Sequence, residues 1–461
     1  GKCYGAVVRC LRTGELKSYL AKATVIATGG FGRIYKYSTN AIINQGTGQS
    51  ISLDTGLVPL GNMEAVQFHP TGIVPTDILV TEGCRGDGGF LLDIDEYRFM
   101  PDYEPDKQEL ASRDVVSRRM IEHMHKGKGV PSPDGEHLWL DLRHLGENHL
   151  RTKLREVYDI CMYFLGVNPI KELVPVRPTQ HYSMGGIRVN KDGHAYSLNG
   201  LWSVGESSCW DLHGMNRLGG NSLAETVVAG MFCGQLMGQW ANKRSLELNS
   251  GLATEAIAEQ QLRIEKLING CAGEVNENVN NLLNEAQETL QEKVGIFRKG
   301  DELEEAVVRL REFYKRSQNL KLSSSSKGAN PEMALALRLP GMIKLGLCVA
   351  KGALLRTESR GGHSREDYPE RNDREWLKRS LARWPVGAEE PEISYEPVGL
   401  LESPPGQRGY GGAENIPMEE SVSEYNDQVK DKWIKEGWQD TANPLGSGLK
   451  EMVEYASTKE S

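Results

Sequence analysis

The sequence predicts an α/β fold built around a nucleotide-binding core, and three observations predict it. An apolar strand over residues 23–27 runs into Thr28-Gly29-Gly30. A buried strand opening onto glycines is the usual entry to a nucleotide site in a doubly wound sheet. A second strand, "GLWSVGE" over 200–206, ends on Glu206 and is followed by "NRLGGNSL" and a helix with small residues along one face over 221–241. Finally, residues 253–352 read as helical almost throughout, with "ELEEAVVRLREFYKRSQNL" showing apolar spacings of three and four.

Composition narrows the class. A chain of 461 residues is long enough for several domains. Its 39% hydrophobic and 25% charged content is that of an ordinary soluble globular protein. A net charge of −9 argues against a general nucleic-acid binder. Without a run of about 18 apolar residues, no membrane-spanning segment is expected. Glycine supplies 51 of the 461 residues, above the usual share of about 7%, which points to backbone approached closely by ligands or to many tight turns. None of the eight cysteines forms a CxxC pair, so a zinc ribbon or an iron–sulfur cluster held by this chain is not expected. Scattered thiols in a large protein fit a reducing compartment. The chain enters directly into strand-like alternation from Gly1 with no signal peptide, and reads as one missing its beginning.

Along the chain, residues 1–62 alternate like strands, with a turn at 12–15. Residues 63–180 mix loops with a helix over 112–127, where Ser112 is placed to cap the N-terminus. Residues 181–242 return to glycine-rich strand, loop and helix. The serines at 323–326 mark a loop, and after Arg360 the chain turns polar and proline-bearing. The stretch "PVGLLESPP" over 397–405 is not expected to form one regular element.

The chemistry-bearing residues gather around "QFHPTGIVPTDILVTEGCRGDGG" at 67–89, which carries His69, Thr81, Glu82 and Arg85 among glycines. Arg113 opens the helix at 112–127, "RPTQHYSMGG" supplies His181, and "HGMNRLGG" supplies Arg217. Singly, each has a plainer reading: a lone histidine as a hydrogen-bonded structural residue, a lone arginine as a surface charge. Together they match what a small dicarboxylate demands. Arginine holds a carboxylate through two parallel hydrogen bonds, and two histidines with a threonine can hold the second without adding more fixed charge. On the nucleotide side, Glu206 at a strand end is placed to accept from ribose hydroxyls. The start of the helix at Gly219-Gly220-Asn221-Ser222 would favour an anion or a polarised ring oxygen. The alternatives there are a tight turn at 27–33 and plain N-capping by Asn221 or Ser222.

In this order, "HPTG", "TEGCRGDGG", "ELASRDVVSRR", "HYSMGGI", "GLWSVGE", "HGMNRLGGNSL" and "RTESRGGHSREDYPERND" resemble the motifs of the flavoprotein subunits of succinate dehydrogenases and fumarate reductases. The resemblance covers essentially the whole chain. "GNMEAVQFHPT", "FMPDYEP", "SRRMIEHMHKGKG", "LCVAKGAL" and "RGYGG" are similar to the menaquinol:fumarate reductases that pair with a dihaem cytochrome b. The resemblance implies an FAD-binding Rossmann-like domain over 1–66 and 181–242 that lacks its N-terminal part. It also implies an α+β capping domain over 67–180, a helical domain over 243–355 and a small C-terminal domain over 356–461. His69, Thr81, His181 and Arg217 look like the substrate-binding set. Arg113 looks like the proton donor, with Glu82 and Arg85 as the relay that resupplies it. Ala27, Thr28, Gly29, Gly30, Tyr182, Glu206, Ser222 and Leu223 look like FAD contacts.

The activity so implied is interconversion of fumarate and succinate in anaerobic respiration, by hydride transfer from FAD. Electrons would come from menaquinol through an iron–sulfur subunit. A membrane-anchoring cytochrome b would hold the assembly at the cytoplasmic face of the inner membrane. Two departures stand out. The family's GxGxxG and its flavin-linked histidine precede Gly1, so covalent FAD attachment is expected in that missing region. Where many relatives carry Thr-Gly-Asp-Gly, this chain has "NQGTGQ" at 44–49. The succinate dehydrogenase direction remains an alternative. An L-aspartate oxidase would share His69, Arg113 and Arg217, but the C-terminal "RGYGG" segment fits the respiratory subunit better. Intact Arg113 and Thr81-Glu82 argue against a non-catalytic structural subunit. The purified 461-residue chain is accordingly expected to carry little flavin, whereas the full-length chain should carry flavin that survives denaturation. Stoichiometric FAD absorbance in the 461-residue chain would refute this.

Overall fold

The structure is a computed structural model that describes residues 1–247, 249–270 and 276–398. The expected features at "RGYGG", the tail beyond Gly412, Cys271 and most of 397–405 lie outside the described residues. The chain forms two units. One comprises residues 1–36, 44–65 and 183 onward, and the other residues 37–43 and 66–182.

In the larger unit, strands Gly5–Arg9 and Leu16–Leu20 pair antiparallel across the expected turn. Strand Thr24–Ile26 pairs in parallel with Leu201–Ser203, joining the two expected nucleotide-binding strands across more than 170 residues. The first of them is less buried than expected: in this two-stranded pairing Val25 stays 43% exposed, because only alternate side chains turn inward. The second strand is shorter than "GLWSVGE", since the chain passes into a 3₁₀ turn at Gly205–Ser207 that carries Glu206. A five-stranded sheet runs in the order Ser208–Cys209, Gly186–Arg188, Leu60–Gly61, Lys378–Arg383, Glu392–Pro397.

The helical zone resolves into Ser250–Asn269, Val279–Lys293, Gly300–Arg316 and Pro331–Leu355, with the serines at 323–326 in a loop. Among the described residues, Pro331–Leu355 is by length and composition apolar enough to cross a membrane. Its charges hid this from a search for an unbroken apolar run. In the fold it is a core helix, packed by Val279–Lys293, Gly300–Arg316 and Thr47–Asp54. Lys344 leaves the apolar face to meet Asp54 at 2.8 Å, and Lys351 reaches the Pro391 carbonyl at 2.8 Å. Long side chains can thus keep their charged heads among polar groups while their stems cover apolar surface.

At the end of this helix lies a buried ionic cluster. Arg356 Nε donates to Glu64 Oε1 at 2.8 Å and its Nη1 to Glu358 Oε1 at 2.9 Å. Ser380 Oγ donates to Glu64 Oε2 at 2.6 Å, and Arg360 forks onto both oxygens of Glu358 at 2.8 and 3.0 Å. Burial works against a charged Glu64, but Arg356 and the Ser380 hydroxyl outweigh it and hold its pKa below the usual carboxylate range. Beside them Arg298 Nη1 meets His363 Nδ1 at 2.7 Å. Burial, then the Arg298 and Arg356 charges, keep His363 neutral, with a pKa well below the ordinary value.

The smaller unit is a four-stranded sheet in the order Val66–Ile73, Val174–Ser183, Leu138–Asp141, Phe90–Leu92. Helix Arg113–His123 packs on the strand Val66–Ile73 and continues as a π turn over Met124–Lys128. Ser112 does occupy the N-cap position. Its hydroxyl, however, donates to Asp114 Oδ1 at 2.7 Å and makes no capping hydrogen bond, which corrects the expected cap. The bond to Asp114 orients the hydroxyl toward that carboxylate, and no helix amide donates to its oxygen.

Removing one partner of a buried ion pair leaves the other charge buried and unpaired, at a cost of about 3–5 kcal/mol. Arg356→Met should therefore move the denaturant midpoint of the chain sharply downward. A midpoint within experimental error of the parent would show that the cluster contributes no net stability.

Candidate functional site

In the smaller unit, period-two alternation puts Gln67 and His69 on one face of the strand Val66–Ile73. His69 Nδ1 accepts from the Thr71 amide at 3.2 Å, which leaves the ring proton on Nε2, the tautomer that donates. His69 and His181 meet edge to face, with ring centroids 5.1 Å apart. His181 is fixed by a neighbour that the sequence reading missed: Thr39 Oγ1 lies 2.8 Å from its Nδ1, and Asn40 Nδ2 donates to its carbonyl at 2.8 Å. The segment around Thr39 runs beside strand Val174–Ser183, where Ser38 bridges Gln180.

The second group is ionic. Arg113 is the first residue of its helix. Its Nε donates to Glu82 Oε2 at 2.9 Å and its Nη1 to Gln67 Oε1 at 3.4 Å. Gln67 was also missed, although its place two residues before His69 was a readable signal. Glu82 precedes the single helical turn Gly83–Gly86, which carries Arg85 inward. Arg85 Nη2 lies 3.9 Å from Glu82 Oε1, and burial lowers the proton affinity of Arg85 against the opposing pull of Glu82. Thr81 is exposed and accepts from the Gly83 amide at 3.3 Å. The preceding residue is tied down, since Thr71 Oγ1 donates to the Val80 carbonyl at 2.8 Å. His69, Thr81, Glu82, Arg85, Arg113 and His181 thus belong to one unit, which ends at the buried Tyr182.

Arg217 and the other candidate flavin residues, Ala27, Thr28, Gly29, Gly30, Glu206, Ser222 and Leu223, belong to the larger unit. Arg217 is buried, with Nη1 donating to the Leu218 carbonyl at 3.0 Å. Its loop is anchored by the Gly362 amide on the Met215 carbonyl at 2.7 Å and by His213 Nε2 on Glu225 Oε2 at 2.8 Å. Helix Asn221–Asn242 begins after Gly220, whose φ of 80° suits glycine. Neither Asn221 nor Ser222 caps it through a side chain, so plain N-capping does not account for those residues. Leu223, Val227 and Met231, spaced by four along this helix, are 74%, 59% and 74% exposed.

These residues fit a dinucleotide. Glu206 Oε1 accepts from the Ser183 amide at 2.8 Å and lies so close to Gly30 that a Cβ there would sit 2.3 Å from it. Glycine at position 30 lets the carboxylate and the backbone share one cradle. Burial pushes the Glu206 pKa up to about 8, with the Ser183 amide and Arg217 pulling the other way. A buried carboxylate so poorly compensated calls for further donors, and a ribose diol would supply them.

Comparison with known proteins bears on both units. Residues 1–223 match the FAD binding domain family, and residues 283–410 match the fumarate reductase flavoprotein C-terminal family. The fumarate reductase flavoprotein subunit of Helicobacter pylori is 48% identical over 445 residues, covering 90% of this chain and 62% of the relative. The chain thus spans under two thirds of that relative's length. The corresponding subunit of Mycobacterium tuberculosis is 36% identical, covering 89% of this chain and 72% of the relative. Among solved structures, the FrdA chain of an Escherichia coli quinol fumarate reductase superposes with a TM-score of 0.83 at 35% identity, over 89% of this chain and 71% of that one.

The raised Glu206 pKa has a consequence for stability. The fold favours protonated Glu206, so this group's contribution is complete below the ordinary 4.5 and is lost as pH rises through about 8. In the flavin-free chain, Glu206→Gln should therefore gain thermal midpoint over the parent progressively across that window. Parallel midpoint-against-pH curves for the two proteins would contradict it.

Proposed function

The chain belongs to the family of fumarate reductase flavoprotein subunits, and we propose that in the whole protein it interconverts fumarate and succinate with Arg113 as the proton donor. The observation that carries this reading is the contact of Arg113 Nε with Glu82 Oε2 at 2.9 Å, with buried Arg85 behind it. FAD is the family's cofactor; Ala27, Thr28, Gly29, Gly30, Glu206, Ser222 and Leu223, together with Tyr182, would hold it, and when bound it supplies the hydride chemistry.

His69, Thr81, His181 and Arg217 bind the two carboxylates of the substrate. Arg217 contributes the fork that suits a carboxylate. His69 contributes its Nε2 proton, and His181 is aimed by Thr39. Clamping both ends polarises the alkene and holds it in a reactive pose. Arg113 then gives a proton to one alkene carbon. A guanidinium with a pKa above about 12 is a poor acid alone, so the step depends on immediate replacement of that proton. Glu82 returns it to Arg113, and Arg85 resupplies Glu82.

The assembly and direction belong to the same reading. Electrons reach the flavin from menaquinol through an iron–sulfur subunit, and a membrane-anchoring cytochrome b holds the complex at the cytoplasmic face of the inner membrane. One similar solved structure is a quinol–fumarate reductase with menaquinol molecules, which supports the link to a quinol. The domain division is proposed as FAD-binding over 1–66 and 181–242, capping over 67–180, helical over 243–355 and C-terminal over 356–461.

Two substitutions in the full-length complex separate the roles. Hydrogen bonds to charged groups contribute about 1.5–3 kcal/mol, so Arg217→Lys should weaken dicarboxylate binding by roughly ten- to a hundred-fold. Arg113→Gln should leave binding nearly intact and remove turnover, and both should keep the parental flavin content. Fumarate-dependent oxidation of a reduced viologen reads turnover, and inhibition by a saturated dicarboxylate reads affinity. Normal turnover in Arg113→Gln would refute its role.

A further inference from the structure

We propose that the ion pair of Arg98 with Glu109 is a positioning device for the proton relay, an inference that rests on Arg113, Glu82 and Arg85 acting as that relay. Arg85 is 2% exposed. Among its side-chain nitrogens, Nη1 donates to the backbone carbonyl of Glu109, while Nε and Nη2 have no hydrogen-bond partner. The nearest Glu82 oxygen is 3.9 Å from Nη2. A single carbonyl therefore sets where this buried guanidinium stands relative to Glu82.

That carbonyl belongs to the 3₁₀ turn Gln108–Leu110, whose first residue has a φ of 49°. A left-handed non-glycine residue costs energy and persists where its surroundings enforce it. Arg98 enforces it here. Its Nε and Nη2 fork onto the two carboxylate oxygens of Glu109 at 2.9 and 2.6 Å, and Nη2 also donates to Gln108 Oε1 at 2.6 Å. The Arg98 guanidinium in turn lies over the Phe90 ring, 4.0 Å from its centroid, and His144 stacks on that ring at 4.3 Å. Glu109 is buried, and apart from the Leu91 amide at 3.4 Å this fork is what meets its carboxylate charge.

The same turn also feeds the helix that starts at Arg113, four residues after Glu109. One ion pair thus fixes both arginines of the relay, Arg85 through a carbonyl and Arg113 through the chain. Proton transfer needs heavy atoms within about 2.6–3.2 Å. With Arg85 and Glu82 already at 3.9 Å, a small shift of the turn decides whether thermal motion closes the gap.

The test uses the full-length holoenzyme in its complex, assayed with fumarate and reduced viologen in H₂O and D₂O. Arg98→Gln should lower kcat by about tenfold or more, leave the fumarate KM within about twofold, and enlarge the solvent isotope effect on kcat. Arg98→Lys keeps the charge and should restore part of the rate. Glu109→Gln should reproduce the Arg98→Gln effect, and the double variant should lose no more than either alone, because the two act as a unit. A merely structural role would lower the melting temperature without moving the isotope effect. Parental kcat and isotope effect in folded, flavin-replete Arg98→Gln would overturn the proposal, as would a loss confined to KM. Should Arg98→Gln not fold, Arg98→Lys carries the test: a smaller fall of the same kind supports the pair, and parental kinetics overturn it. A parental complex unable to reduce fumarate would instead sink the functional reading itself.

Discussion

The contact between Arg113 and Glu82 constrains the rest of the smaller unit. A largely buried guanidinium keeps its charge and needs acceptors for its N–H groups, so its partners matter as much as its own position. Gln67 holds Nη1 and Glu82 holds Nε, leaving the guanidinium few rotamers. The strand Val66–Ile73 then has to be buried along its whole length, because the same face carries Gln67 and His69. The glycines after Glu82 follow from the same constraint: a helical turn as short as Gly83–Gly86 swings Arg85 into the interior with almost no side-chain bulk around it.

The larger unit answers a different constraint, which is how to bring a carboxylate against a backbone. Gly30 gives up its side chain so that Glu206 can occupy that space. The Ser183 amide supplies a donor to the carboxylate, and burial leaves it short of others. A carboxylate held in that condition would gain from hydroxyl donors, and its raised proton affinity makes the place a candidate binding site.

The candidate site residues were legible in the sequence as candidates. His69, Glu82, Arg85, Arg113, His181 and Glu206 stand in glycine-rich stretches where charged and polar side chains have few structural excuses. Residues that act through other residues were not. Thr39 meets His181 across 142 positions of chain, and Glu109 holds Arg85 through its backbone, which carries no side-chain signature. Ser112 shows the limit of local rules, since it stands at the N-cap position but turns its hydroxyl to Asp114 and accepts no capping bond. Pro331–Leu355 shows the limit of counting apolar runs: Arg338, Lys344 and Lys351 interrupt the run without disturbing the buried face. Strand order was out of reach for a simpler reason. The five-stranded sheet joins residues near 60 to residues near 380, and no periodicity encodes a partner that distant.

The ionic cluster of Glu64, Arg356, Glu358 and Arg360 sets how the larger unit responds to heat. The penalty for stripping water from charges shrinks as temperature rises, whereas the gain from apolar burial levels off. On warming, this cluster gains ground relative to the helical core around Pro331–Leu355. Thermal melting of that unit should therefore begin among the helices, and the antiparallel pairing of strand Lys378–Arg383 with Leu60–Gly61, next to the Ser380–Glu64 bond, should be among the last features to let go.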